Sequence, residues 1–180
     1  MQRLLVMTII GDDRPGLVES VASLVAEHSG NWLESRMSRL GGKFAGILRA
    51  ELPPHRLQAA LAALAALESG GLKVIAEAAP GEQAAAGERS MDLELVGLDR
   101  PGIVREISQL LASSGVNVEE LVTNRTSAPM SAEMLFEARA HVRVPAGIDL
   151  AALRSGLERL ASDLVVEVKL EERSSSKPAT

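Results

Sequence analysis

The sequence predicts an α+β protein built as two tandem β-α-β-β-α-β domains. Three observations predict it: a long internal repeat, the same alternation of strand and helix signals in both copies, and a composition suited to two small cores. Gly11-Asp12-Asp13-Arg14-Pro15-Gly16-Leu17-Val18 recurs as Gly97-Leu98-Asp99-Arg100-Pro101-Gly102-Ile103-Val104, an offset of 86 residues (97 − 11). The offset persists downstream: Val21 matches Ile107, Leu24 matches Leu110, Val25 matches Leu111, Asn31 matches Asn117 and Arg39 matches Arg125. Agreement over such a stretch marks a duplication.

The elements are clearest in the second copy. Met91, Leu93 and Leu95 alternate with Asp92 and Glu94, the period of two of a half-buried strand. After Asp99-Arg100-Pro101-Gly102, the residues Ile103, Val104, Ile107, Leu110 and Leu111 form one apolar helical stripe, with Arg105, Glu106, Ser108 and Gln109 on the wet face. Ser114-Gly115 ends that helix, because Gly adopts the left-handed conformation of a helix stop. A strand follows from Asn117 to Arg125, and Met134, Phe136, Ala138, Ala140 and Val142 alternate with polar neighbours as the next. Pro145-Ala146-Gly147 breaks it, Leu150, Leu153, Leu157 and Leu160 mark a second helix, and Leu164, Val166, Val168 and Leu170 a final strand. In the first copy the same signals place strands over 3–10, 31–40, 43–52 and 71–78, and helices over 15–29 and 54–68. This order is the split βαβ, or ferredoxin-like, unit, one antiparallel sheet with both helices on one face.

The domains are therefore expected at 1–78 and 90–171. Residues 79–89, small and polar with no apolar period, read as a linker, and 172–180 as a disordered tail. Leu57, Leu61 and Leu64 match Leu153, Leu157 and Leu160 at an offset of 96, which predicts a ten-residue insertion (96 − 86) in the second copy, around Thr126 to Ser131. Val6 and Thr8 replace Asp92 and Glu94 in the first copy, so the open face of its sheet, with Leu4 and Ile10, is the more apolar and is expected to be covered.

Composition narrows the function. The 180 residues are 46% hydrophobic and 24% charged, with Trp32, Phe44 and Phe136 the three aromatics, so Leu, Val, Ile and Ala must fill the cores. Two domains of this size gain from pairing, and a homo-oligomer is expected. Net charge is −5, from 19 basic and 24 acidic residues, and no run of Lys or Arg offers a patch for nucleic acid. The absence of Cys removes disulfides, thiol nucleophiles and thiolate metal sites. The apolar start, residues 1–10, is too short to span a bilayer and reads as a strand rather than a leader, so a cytoplasmic protein without a membrane partner is expected.

The repeated Asp-Arg-Pro-Gly turn lies where a strand becomes a helix. Asp13 and Asp99 are expected as N-caps, accepting from the amides of Gly16 and Gly102, with Pro15 and Pro101 in the first helical turn. The same features suit a ligand, because a helix start with free amides and no covering side chain is complementary to a carboxylate or phosphate. An Asp not consumed by capping could hold an ammonium group, and together these suit a free amino acid. Asn31 and Asn117, at the start of the second strand, are read as lying near the turn, either to tolerate irregular backbone or to reach a ligand. Trp32 and His28 read as packing residues. No nucleophile elbow, His-Glu-x-x-His or Walker loop is present, and neither cofactor nor metal is expected.

On Gly11 to Val18, Gly97 to Val104, Asn31, Asn117 and the Thr126–Ser131 insertion, the chain resembles tandem ACT-domain proteins, and within them the repressors of the glycine cleavage system. The resemblance spans nearly all of residues 3–170. It implies a non-enzymatic regulator that binds a small amino acid, glycine favoured, at Asp13, Arg14, Pro15, Gly16, Asp99, Arg100, Pro101 and Gly102, with Asn31 and Asn117. It also implies action through a DNA-binding protein rather than on DNA. The alternative is a regulatory subunit docking on a metabolic enzyme.

Overall fold

A computed structural model describes residues 2–79, 87–128, 133–164 and 166–172. The chain divides into two compact units, Met1–Gln83 and Ala84–Thr180. The first contains β1 (Arg3–Asp12), α1 (Leu17–Glu27), β2 (Asn31–Leu40), β3 (Lys43–Leu52), α2 (Leu57–Ala66, flanked by 3-10 turns at Pro54–Arg56 and Leu67–Gly70) and β4 (Leu72–Ala78). The second contains β5 (Arg89–Leu98), α3 (Ile103–Ser113), β6 (Asn117–Ser127), β7 (Met134–Val144), α4 (Leu150–Leu164) and β8 (Val166–Glu172). Leu164 thus ends a helix rather than opening the last strand. Most of the expected linker, residues 80–86, and the tail, 173–180, lie outside the described residues.

Each unit is a four-stranded sheet, ordered β2-β3-β1-β4 in the first and β6-β7-β5-β8 in the second, with antiparallel neighbours throughout. The fold is α+β, two ferredoxin-like units in tandem. Alternation along β1 sends Leu5, Met7 and Ile9 into the core, where they meet Val21 and Leu24 of α1, Leu48 and Ala50 of β3 and Leu64 of α2. In the second unit Met91, Leu93 and Leu95 meet Ile107, Phe136, Val142 and Leu157. Each core closes on residues of its own unit. Trp32 packs against the edge of the first core, and the His28 ring, part-buried, bonds the Leu24 carbonyl at 2.9 Å, so both are packing residues.

The two sheets differ on the side away from the helices. On the first, Ile10, Ile47 and Ile75 are exposed at 46%, 56% and 52%, and Leu4 and Val6 are half-buried. On the second, His141 pairs with Asp92 and stands 3.5 Å from Glu120, and Arg139 reaches Glu94 at 3.3 Å. Where the first sheet has Val6 and Thr8 in its first strand, the second has Asp92 and Glu94, and both are ion-paired across to the neighbouring strand.

The expected ten-residue insertion is corrected by the strand pairing. Gly11 pairs with Phe44 and Gly97 with Phe136, so β3 and β7 are offset by 92 residues (136 − 44) and the hairpin before them gained six (92 − 86). In the first unit that hairpin is Gly41-Gly42, both with positive φ as a two-residue turn requires. In the second the Ala128 amide meets the Glu133 carbonyl at 2.9 Å across a longer loop, of which residues 129–132 lie outside the described residues. Buried Ala60 and Leu64 correspond to buried Leu153 and Leu157, an offset of 93 for the second helices (157 − 64), not 96. Leucines three and four residues apart make a helix resemble itself after one turn, and the sequence match had slipped by that turn.

Candidate functional site

The turn between first strand and first helix is built alike in both units. Pro15 and Pro101 hold φ near the value needed at the second position of a type II β-turn. Gly16 (φ 91, ψ −2) and Gly102 (φ 92, ψ −5) supply the left-handed third position. The turn residues are Arg14-Pro15-Gly16-Leu17 and Arg100-Pro101-Gly102-Ile103. The helices consequently begin at Leu17 and Ile103, with Gly16 and Gly102 at the cap position and no side-chain cap bond in either.

This corrects the expected roles of Asp13 and Asp99, and of Pro15 and Pro101. The prolines precede the helix, and each Asp sits three residues before the cap, out of reach of the first-turn amides. The aspartates instead pair with arginines at the far end of the second strand: Asp13 with Arg39, and Asp99 Oδ2 with Arg125 Nε at 2.6 Å. Arg39 and Arg125 carried no role in the sequence reading, yet they stood in the 86-residue match, and an Asp and an Arg both retained at the same offset was the available signal.

Asn31 and Asn117 are also corrected. The second strand runs parallel to the first, because both are antiparallel to the third. It therefore starts at the end of the sheet opposite the turn, as a strand-helix-strand crossover demands. Asn31 pairs with Glu51, the partner of Leu4, whereas Arg39 pairs with Phe44, the partner of Gly11. Eight residues of strand separate Asn31 from the turn level, roughly 26 Å. Its side chain bonds Glu51 Oε1 at 3.4 Å. Asn117 is placed likewise, opposite Arg143 and so at the level of Ser90.

The two turns diverge at their arginines. Arg14 reaches across to the Gly70 carbonyl at 2.6 Å. Arg100 folds over its own helix and grips Glu106 with both terminal nitrogens, at 3.1 and 2.6 Å. That grip holds the Glu106 carboxyl below the usual carboxylate range and raises Arg100 further. A β-carbon on Gly102 would lie 3.7 Å from Glu106 Oε1, whereas one on Gly16 would meet nothing within 4 Å. Ser20 stands where Glu106 does, 86 residues earlier, and its hydroxyl turns to the Gly16 carbonyl. Glu106 therefore stands beside Gly102 at the start of α3, whereas the first-turn carboxylate of α1, Glu19, accepts from the Ser23 hydroxyl one turn further on.

A cleft of about 470 Å³ opens beside the second turn, between Asp99, Arg100, Gly102 and Arg105 on one side and Thr123 and Arg125 on the other. Of its three guanidinium groups, Arg100 is paired with Glu106 and Arg125 with Asp99, so Arg105 supplies the cleft's excess positive charge. Val104, Thr123 and Phe136 continue it into an apolar groove under α3 that reaches Leu121.

The ACT domain model matches residues 3–73 and 93–171, one copy over each unit. The chain belongs to the ACT domain family. Its domains are thus regulatory modules by kinship. An unknown protein from Galdieria sulphuraria is 29% identical, with 97% of this chain and 100% of that one aligned at a TM-score of 0.84. A protein provisionally assigned as a glycine cleavage system transcriptional repressor is 20% identical, over 97% of this chain and 99% of that one, at a TM-score of 0.71. At that identity the second likeness speaks for the fold. No curated protein matches significantly. Among the described residues no helix is long and apolar enough to cross a membrane.

Proposed function

We propose that this ACT-domain chain is an amino-acid-responsive regulator acting by protein contact, a repressor of glycine cleavage genes. The observation that carries the reading is the bare start of α1 and α3 behind Pro-Gly turns, each beside an Asp–Arg pair. The first-turn amides of a helix have no acceptor within it. A ligand carboxylate would take the place of the absent cap. Asp13 or Asp99, bonded to its arginine through Oδ2, keeps a second oxygen as an acceptor for an ammonium group. Asn31 and Asn117 have no part in this arrangement within a unit. The open start of α1 accepts a carboxylate directly, whereas that of α3 must first move Glu106 aside.

Glycine and other small amino acids are expected to bind saturably in calorimetric titration, while glycinamide, which keeps the ammonium group and lacks the carboxylate, does not. Equal binding of glycinamide, or no binding by any amino acid, overturns the reading. Recovery of a DNA-binding protein by the tagged chain supports repression by contact, and recovery of a metabolic enzyme favours a regulatory subunit. With a net charge of −5, the chain alone is expected to give no salt-sensitive, sequence-selective gel shift with DNA.

A further inference from the structure

We propose that the groove between α3 and β6 is a side-chain pocket, held open by Thr123, that makes the second unit select a short branched aliphatic amino acid. This rests on the reading of the turn as an amino-acid site and adds a selectivity that the first unit lacks. β6 ends its sheet, and its pairing with β7 sets Val118, Leu121 and Thr123 beside the buried Val142, Ala140 and Ala138. Residues directly paired across two strands share a face, so all three point to the helix side. The irregularity between Val118 and Glu120 lets Val118 and Leu121 do so although they are three apart. α3 does not cover them, and Leu121 stays 47% exposed. The space between these residues and Ile107 and Leu111 of α3 is an apolar groove.

The first unit shows what closes such a groove. At the 86-residue offset Trp32, Ser35 and Met37 stand for Val118, Leu121 and Thr123, and they pair with Ala50, Leu48 and Gly46. Trp32 and Met37 pack against the first core. Met37 lies directly over the floor of the sheet, where a β-carbon on Gly46 would stand 2.5 Å from its Cγ. Gly46 corresponds to Ala138 at the offset between β3 and β7, and Ala138 lines the groove of the second unit. Val104, Thr123 and Phe136 form the mouth of the groove and also line the charged cleft. Their counterparts are Val18, Met37 and Phe44, so threonine for methionine is the one substantial exchange at the mouth. A ligand with its ammonium group at Asp99 and its carboxylate towards Arg105 therefore has an apolar opening beside it. The inner space of the groove is about 20 Å³, room for one methyl-sized group. Glycine has nothing to place there and a phenyl ring is too wide. Valine sets one methyl inside and keeps the other in the cleft.

Calorimetric titration of the full chain with glycine, valine and phenylalanine tests it. Burial of one such carbon tightens binding about fourfold. Valine is therefore expected to bind at least about fourfold more tightly than glycine, and phenylalanine more weakly than valine. Thr123→Met should remove the advantage of valine and leave glycine affinity unchanged. Thr123→Met/Ala138→Gly, which recreates the pair found in the first unit, should do the same where the Ala138 methyl would turn the methionine outwards. Thr123→Val should keep the advantage. Thr123 is exposed, and circular dichroism melts serve as the folding control. An advantage that survives both methionine variants, or is missing from the wild type while glycine binds, overturns the pocket and leaves the turn as an amino-acid site. So does phenylalanine binding more tightly than valine, or an equal loss of glycine and valine in the methionine variants. No binding by any amino acid to the wild type overturns both readings.

Discussion

Gly102→Val is expected to destabilise the second unit by about 1–3 kcal/mol, and Gly16→Val the first by a similar amount. The space is not the obstacle, since a β-carbon at Gly16 meets nothing within 4 Å and one at Gly102 only the end of the Glu106 side chain. The cost is conformational. With φ at 91 and 92, both residues occupy the left-handed region, where a β-branched side chain is a genuine outlier. For a unit of this size each kcal/mol lowers the melting temperature by about 4–8 °C. Read as a residue of the first helical turn, Gly102 would have tolerated valine; as the third residue of a type II turn it does not. Unchanged melting of both valine variants would mean the turn relaxes, and the account of the site built on it would fail.

Asparagine separates fold from ligand at the same positions. It enters the left-handed region far more readily than valine, so Gly16→Asn and Gly102→Asn should keep most of the stability. Its side chain would nonetheless stand where a ligand carboxylate approaches the helix start. Affinity for glycine should fall most in Gly16→Asn, because the start of α3 already has Glu106 beside it. Wild-type affinity in both asparagine variants would show that no ligand lies over either turn.

The fold was legible because its two periods are clean. Strands 31–40 and 43–52 were placed at their observed limits, and the 86-residue repeat carried the topology from one copy to the other. What was not legible was direction and reach. Asn31 looked close to the turn because only a helix separates them in sequence, yet that helix carries the chain back along the sheet. Asp13 looked like a cap because aspartate before a helix usually is one. Proline followed by glycine shifted the helix start beyond it, and only the fold brought Arg39 across to pair with it. Side-chain partners supplied from another strand cannot be read from local propensity. A glycine's sign of φ can be anticipated only when the whole turn is recognised, and Arg-Pro-Gly after a strand was sufficient signal for that.

The second helix offers the sharpest test of what the repeat alone misplaced. Leu157→Ala is expected to cost about 2–5 kcal/mol in the second unit, since Leu157 is 1% exposed and lies in the closed part of the core. Leu160→Ala should cost about 1 kcal/mol, because Leu160 only packs against that core from its margin. The offset of 96 would instead equate Leu160 with Leu64, which is 2% exposed, and would make Leu160 the more damaging site. Urea denaturation followed by hydrogen exchange at the amides of β5 and β7 reads the second unit directly, without assuming that the whole chain unfolds in one step. A large loss at Leu157 with a small one at Leu160 fits the 93-residue correspondence. Equal losses, or a larger one at Leu160, would mean that α4 is turned by about one residue triplet from the orientation described, and the correspondence between the two cores would have to be redrawn.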